Sequence, residues 1–380
     1  MVERLLLGPG PSNVPPEVMA AMLRPTLGHL DPDFLACMQR VRERLQQVFR
    51  TRNKLTLAAS GTGTAGMELV LTNLVEPRDK VVVVVNGFFG GRGVEMAKRL
   101  GGEVVEAKFP WGEPADVGAV EKALAAAKPA LLYFVHAETS TGVRNDAAAL
   151  AAAGRKHGAL VLMDCVTSLG GLEVDVDRFG VDAAFSGSQK CLGAPSGLAP
   201  VTLGERALAK IAARKTPVPS VYLDALWLEK YWGSERAYHH TAPIHMVYAL
   251  EEALRLVLDE GLEQRWQRHV AAHRALVAGL QAMGFELLPP AAARLPMLNA
   301  VRLRDGIDEA ALRKRLLLDH AIEVGAGLGE LKGRILRVGL MGVNANRGAA
   351  IRFLAAFEEC LAAQGARVPS GAGVAAALAA

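Results

Sequence analysis

The chain has 380 residues, 51% of them hydrophobic and 22% charged, enough to bury a large core and unlike a disordered or fibrous composition. Its 43 basic and 39 acidic residues leave a formal charge of +4 spread along the chain, so no basic block marks a nucleic-acid surface. No apolar run reaches bilayer length, Leu5 to Leu7 lead into Gly8-Pro9-Gly10-Pro11 without a signal-peptide layout, and the cysteines (Cys37, Cys165, Cys191, Cys360) lack metal spacing. The expectation is a cytoplasmic protein with reduced thiols that binds neither membrane nor nucleic acid.

Between Leu55 and Leu203, short β-rich runs alternate with helical stretches. The runs are Leu55 to Ala59, Val81 to Val85, Leu131 to Val135, Leu160 to Met163, Ala183 to Ser186 and Leu198 to Leu203. Several are apolar throughout, as strands buried on both faces are. Helical propensity marks Val94 to Leu100, Val117 to Ala127 and Ala147 to His157. The alternation predicts an α/β fold with a mostly parallel sheet. After a long helix-like stretch from His245 to about Met283 come strands at Leu298 to Leu303 and Ile335 to Leu340, with helices at Glu309 to His320 and Asn346 to Ala363. That half predicts a smaller α+β C-terminal domain, and the Ala/Gly/Val-rich end a frayed tail. The boundaries expected are an N-terminal arm over 1–20, a large domain over 21–255, a small domain over 256–364 and a flexible tail over 365–380.

Three elements carry chemistry. Gly61-Thr62-Gly63-Thr64-Ala65-Gly66 follows a strand, opens a helix and matches GxGxxG. A dinucleotide site would need an acid at the end of the next strand, and Asn86 stands there. A helix N-terminus behind a glycine-rich turn still suits any phosphate. Asp164 ends the apolar run Leu160 to Met163, where ligands gather in open α/β sheets, and a carboxylate there needs a cationic partner such as a protonated pyridine nitrogen. Lys190, in Ser186-Gly187-Ser188-Gln189-Lys190, follows the next strand; a desolvated lysine has a lowered pKa and forms Schiff bases. Taken singly, these are also consistent with a tight turn, a capping aspartate and a solvated lysine. Together they supply an anion cradle, a charge partner and a covalent anchor, the three handles of pyridoxal phosphate.

With the motifs Leu7-Gly8-Pro9-Gly10-Pro11-Ser12, Ser60-Gly61-Thr62-Gly63, Glu138-Thr139-Ser140-Thr141-Gly142, Ser186 to Lys190, Tyr238-His239-His240-Thr241 and Leu336-Arg337-Val338-Gly339, the chain resembles the class V aminotransferases of fold type I, most closely the alanine:glyoxylate/serine:pyruvate group. The resemblance implies a pyridoxal-phosphate-dependent transferase of fold type I, working by ping-pong transfer between small amino acids and 2-oxo acids. It assigns Lys190 as covalent anchor and proton shuttle and Asp164 as partner of the ring nitrogen. Thr62, Gly63 and Thr64 take the phosphate with Gln189 nearby, Phe89 stacks where relatives often carry tryptophan, Val166 lies against the cofactor, and Thr139 bonds near its hydroxyl. Tyr238 and Thr241 match phosphate contacts contributed by a neighbouring subunit, which implies a homodimer with shared sites. Arg337 matches the grip on the substrate carboxylate, and Gly10 a substrate-side turn that favours small side chains. Other class V transaminases, acting on phosphoserine or aminoethylphosphonate, share these cofactor residues and stay open. A nicotinamide-dependent oxidoreductase and a scaffold without catalysis are the readings outside the class. No cysteine stands between Cys191 and Cys360 to serve a desulfurase.

Overall fold

The computed structural model describes residues 3–380. Its central sheet has seven strands, numbered here in chain order: β1 Leu55–Ser60, β2 Lys80–Val85, β3 Glu103–Lys108, β4 Leu131–Val135, β5 Leu160–Asp164, β6 Ala183–Phe185 and β7 Leu198–Leu203. Their order across the sheet is β1-β7-β6-β5-β4-β2-β3. β7 runs antiparallel to both neighbours and the other pairs are parallel. The α/β architecture with a mostly parallel sheet is therefore as expected. β4 and β5 are buried along their whole length, and burying each Val or Leu contributes roughly 1.5–3 kcal/mol. β3 was not among the expected strands. It forms the sheet edge, and its charged residues Glu103, Glu106 and Lys108 break the apolar run by which its neighbours were recognised.

The register carries the site. Val135, Asp164 and Phe185 lie side by side on β4, β5 and β6, so the Asp164 carboxylate sits mid-sheet at the carboxyl ends of the parallel strands. The helix Gly63–Leu74 packs on β7 and β6 and brings its N-terminus to the same end.

A second, smaller sheet pairs Leu298–Arg302 antiparallel with Ile335–Gly339, which also takes Gly325–Ala326. It has its own core, including Leu276, Leu336, Val338, Phe353 and Phe357. Leu7 belongs to this core as well, because Leu5–Leu6 pairs in parallel with Ile322–Glu323 and the Gly339 N–H donates to the Leu7 carbonyl at 2.7 Å. The N-terminal arm thus crosses from one core to the other.

Two expectations need correction. The stretch from His245 to Met283 is two helices, Ile244–Glu260 and Leu262–Ala282, broken at Gly261. The break lets Leu254 and Val257 join the large core while Leu276 and Leu280 join the small one. The frayed tail contains a helix, Ala372–Ala379, packed on Leu262–Ala282 with Gly373 and Ala377 buried. Small side chains allow that close approach, a contact that bulky apolar periodicity does not signal.

Candidate active site

Lys190 follows β6 and is 9% exposed. Burial, reinforced by the charge of Arg337, brings its amine down to about 8. The loop that carries it is held by Ser12, whose N–H donates to the Gln189 carbonyl at 3.0 Å and whose hydroxyl donates to the Lys190 carbonyl at 3.0 Å. From behind, buried Arg265 donates to the carbonyls of Gly170 at 3.0 Å and Cys191 at 2.6 Å. The lysine amine donates to the Pro9 carbonyl. Gly10 lies against the same side chain at φ +108°, and a Cβ there would stand 2.6 Å from the lysine Cδ and 2.8 Å from Nζ. Only glycine fits that approach.

Asp164 is 4% exposed, and burial lifts its carboxyl to about 7. Its Oδ1 accepts the Val166 N–H at 2.9 Å and its Oδ2 the Tyr133 hydroxyl at 3.3 Å. No arginine or lysine lies within ion-pair distance of it among the described residues. A buried carboxylate so placed calls for a cationic ligand.

Thr62, Gly63, Thr64, Phe89, Thr139, Asp164, Val166, Gln189 and Lys190 line one cavity, with Met67, Ala137 and Thr167 adding to its wall. Thr62 stands at the N-cap of Gly63–Leu74 with extended backbone and makes no side-chain cap, so the amides of the first turn face the cavity uncapped by that side chain. Gln189 keeps its Oε1 buried without a partner; turned over, the amide presents an N–H donor instead. Asn86, where a dinucleotide site would carry its acid, spends its side chain on the Glu113 carbonyl and on Asn145, each at 2.9 Å.

Phe89 lies in the first turn of the helix Phe88–Arg99, which begins earlier than the expected Val94. That turn is capped from a distance. Glu138 Oε2 accepts the N–H groups of Phe89 at 3.1 Å and Gly90 at 3.2 Å, and the Ser140 hydroxyl accepts that of Phe88 at 2.9 Å. A fully buried glutamate thereby fixes the ring at the cavity wall.

Arg337 rises from the small sheet and is 6% exposed. Its Nε donates to the Ala326 carbonyl at 2.6 Å and its Nη1 to the Thr139 carbonyl at 3.2 Å, and it has no carboxylate partner among the described residues. Burial lowers it to about 10. The Thr139 contact joins the small domain's cation to a wall of the cavity.

Tyr238 and Thr241 are not brought to this cavity within the protomer. Both are exposed, Tyr238 by 62%, with its ring 5.2 Å from His29. The roles of Tyr133, Glu138 as a cap, and Arg265 escaped the sequence. The one available signal was a lone hydroxyl in the otherwise apolar run Leu131 to Val135. All four cysteines are buried and free.

The family model "Aminotransferase class-V" matches residues 4–338. The chain is 40% identical over 348 residues to an alanine–glyoxylate aminotransferase of Callithrix jacchus, covering 90% of this chain and 84% of that one. The crystal structure of an alanine–glyoxylate aminotransferase from Nostoc sp. superposes with a TM-score of 0.94 at 48% identity, over 95% of this chain and 96% of that one. That of a ureidoglycine-glyoxylate aminotransferase from Bacillus subtilis superposes with a TM-score of 0.98 at 38% identity, over 100% and 98% of the two chains. The chain belongs to the class V aminotransferases and is a pyridoxal-phosphate-dependent enzyme of fold type I.

Proposed function

We propose that the protein transfers an amino group from a small amino acid, alanine or serine, to a 2-oxo acid, with glyoxylate as acceptor. The observation that carries this reading is the cavity itself. A desolvated lysine and a carboxylate lacking a cation line one space, and an arginine lacking a carboxylate is tied to its wall through the Thr139 carbonyl. These groups match what pyridoxal phosphate and an amino acid bring: an aldehyde for Lys190, a protonated ring nitrogen for Asp164 and an α-carboxylate for Arg337. The uncapped turn at Thr62 to Thr64, with Gln189, would take the phosphate; Phe89 and Val166 would flank the ring and Thr139 its hydroxyl. When bound, the cofactor supplies an electrophilic carbonyl and a ring that accepts electron density.

The chain's own groups do the rest. Asp164 keeps a proton on the ring nitrogen, so that charge withdrawn from the substrate's α-carbon is stabilised. The Lys190 amine, whose burial favours the neutral form, takes the proton from that carbon and returns it on the cofactor side. Arg337 clamps the α-carboxylate with a planar fork, and Gly10 with Pro9 crowds the space beside Lys190 so that small side chains fit best. Transfer is ping-pong, the amine being stored between half-reactions.

Glyoxylate rests on a shared term: it stands in the names of both the alanine and the ureidoglycine enzymes, whose donors differ. Exposed Tyr238 and Thr241 support a homodimer in which each subunit completes the other's phosphate site, and four free buried thiols support a reducing, cytoplasmic setting. No helix among the described residues is long and apolar enough to cross a membrane. The test is a visible spectrum of the purified protein before and after alanine or serine, followed by glyoxylate. The expected result is a cofactor band that changes with the donor and returns with glyoxylate. A spectrum unmoved by either donor but moved by phosphoserine or aminoethylphosphonate would reassign the substrate within the class.

A further inference from the structure

Tyr133 is wholly buried in β4, and its hydroxyl lies 3.3 Å from Asp164 Oδ2. The register explains how it reaches. Tyr133 pairs with Leu162, and Asp164 follows two residues on along the same face of β5, a diagonal that an aromatic side chain spans. Room for the ring is made by Gly93, inside the helix Phe88–Arg99, where a Cβ would stand 2.8 Å from the tyrosine Cδ1 and 3.0 Å from Cζ. Glycine weakens a helix relative to alanine, so the ring is accommodated at the expense of the helix that also carries Phe89.

We propose that Tyr133 is a positioning residue for Asp164: its hydroxyl donates from behind the cavity wall, fixes the carboxylate and keeps it anionic for the cofactor's ring nitrogen. Burial and the neighbouring carboxylates hold the phenol far above its ordinary titration range, so it stays protonated and can only donate toward an ionised Asp164. The Val166 N–H holds the other oxygen. Facing this pair are the Glu138 carboxylate, which disfavours the charge on Asp164, and the Lys190 amine, which favours it; Arg92 acts on Tyr133. With burial and Glu138 against ionisation, the hydroxyl and the Val166 N–H are the two hydrogen bonds among the described residues that favour it.

The inference rests on Asp164 facing the ring nitrogen. The experiment is the pH dependence of pyridoxal phosphate binding to the full chain, followed by absorbance, for wild type, Tyr133→Phe, Gly93→Ala and Asp164→Asn. Tyr133→Phe keeps the ring and is expected to weaken binding about 10-fold below neutral pH, with the loss closing in mildly alkaline solution where Asp164 ionises unaided. Gly93→Ala displaces the same ring from the helix side and gives the same pH-dependent loss, so the test survives if one variant fails to fold. In the Asp164→Asn background Tyr133→Phe should have no further effect. A loss independent of pH, or none, in the tyrosine variant overturns the proposal. If Asp164→Asn also leaves binding unchanged, the assignment of Asp164 itself is what fails.

Discussion

Asp164 and Glu251 are equally buried carboxylates, 4% and 5% exposed, in opposite circumstances. Glu251 is surrounded by Arg24, Arg40 and Arg44 at 3.1, 2.5 and 3.7 Å and accepts the Cys37 thiol at 3.2 Å, so despite burial its carboxyl is held below the ordinary range. Asp164 has two neutral donors and rises to about 7. Two buried arginines differ in the same way. Arg265 is paired with Glu260 at 2.6 Å, whereas Arg337 meets only carbonyls. In these two pairs the charge that serves the fold is matched within the chain, whereas that beside the cavity is left for a ligand to match, which costs stability in the unliganded protein.

The contrast predicts which substitutions fall on chemistry and which on folding. The largest effect belongs to Lys190→Ala, which removes both anchor and proton carrier: kcat should fall by about 10⁴-fold in steady-state assays while thermal unfolding barely moves. Next is Arg337→Met. Without the guanidinium, kcat/KM for amino donors should fall about 100-fold, mostly through KM, and amines lacking a carboxylate should be spared. Equal losses for both kinds of donor would remove Arg337 from the substrate site. At the matched carboxylate the sign reverses. Glu251→Gln leaves three arginines unbalanced and should cost about 2 kcal/mol of stability in denaturant titration, with kcat per folded site unchanged.

The matched and unmatched groups were not equally legible. Asp164 ends an apolar strand, Lys190 stands in the loop after the next one, and Thr62 to Thr64 open a helix behind a glycine-rich turn, so their placement follows from local pattern. Glu138 capping the helix of Phe89, Tyr133 behind Asp164 and Arg265 behind Lys190 depend on contacts between distant stretches of chain, which periodicity does not encode. Helix starts suffered likewise: Phe88 to Arg92 contains two glycines and no local cap, and its first amides are capped by Glu138 and Ser140 from a distant stretch of chain. The tail helix was hidden because alanine and glycine carry little apolar signal.

The smallest effect tests the contrast most directly, through Asp164→Asn in the cofactor-free protein. The wild-type carboxyl moves from an ordinary 3.8 to about 7 on folding. Between these values the folded state holds the extra proton, so this contribution to stability is complete below the lower value and is lost as pH rises through the upper one. Asparagine does not titrate, and the variant should match wild type in acid and exceed it above neutrality, by roughly 3 °C in Tm. Calorimetry across that range checks the sign. Adding pyridoxal phosphate should invert it, because the ligand stabilises only the protein that offers its ring nitrogen a carboxylate. An asparagine variant less stable than wild type without cofactor would mean that Asp164 is already matched by the fold, and the distinction from Glu251 would vanish.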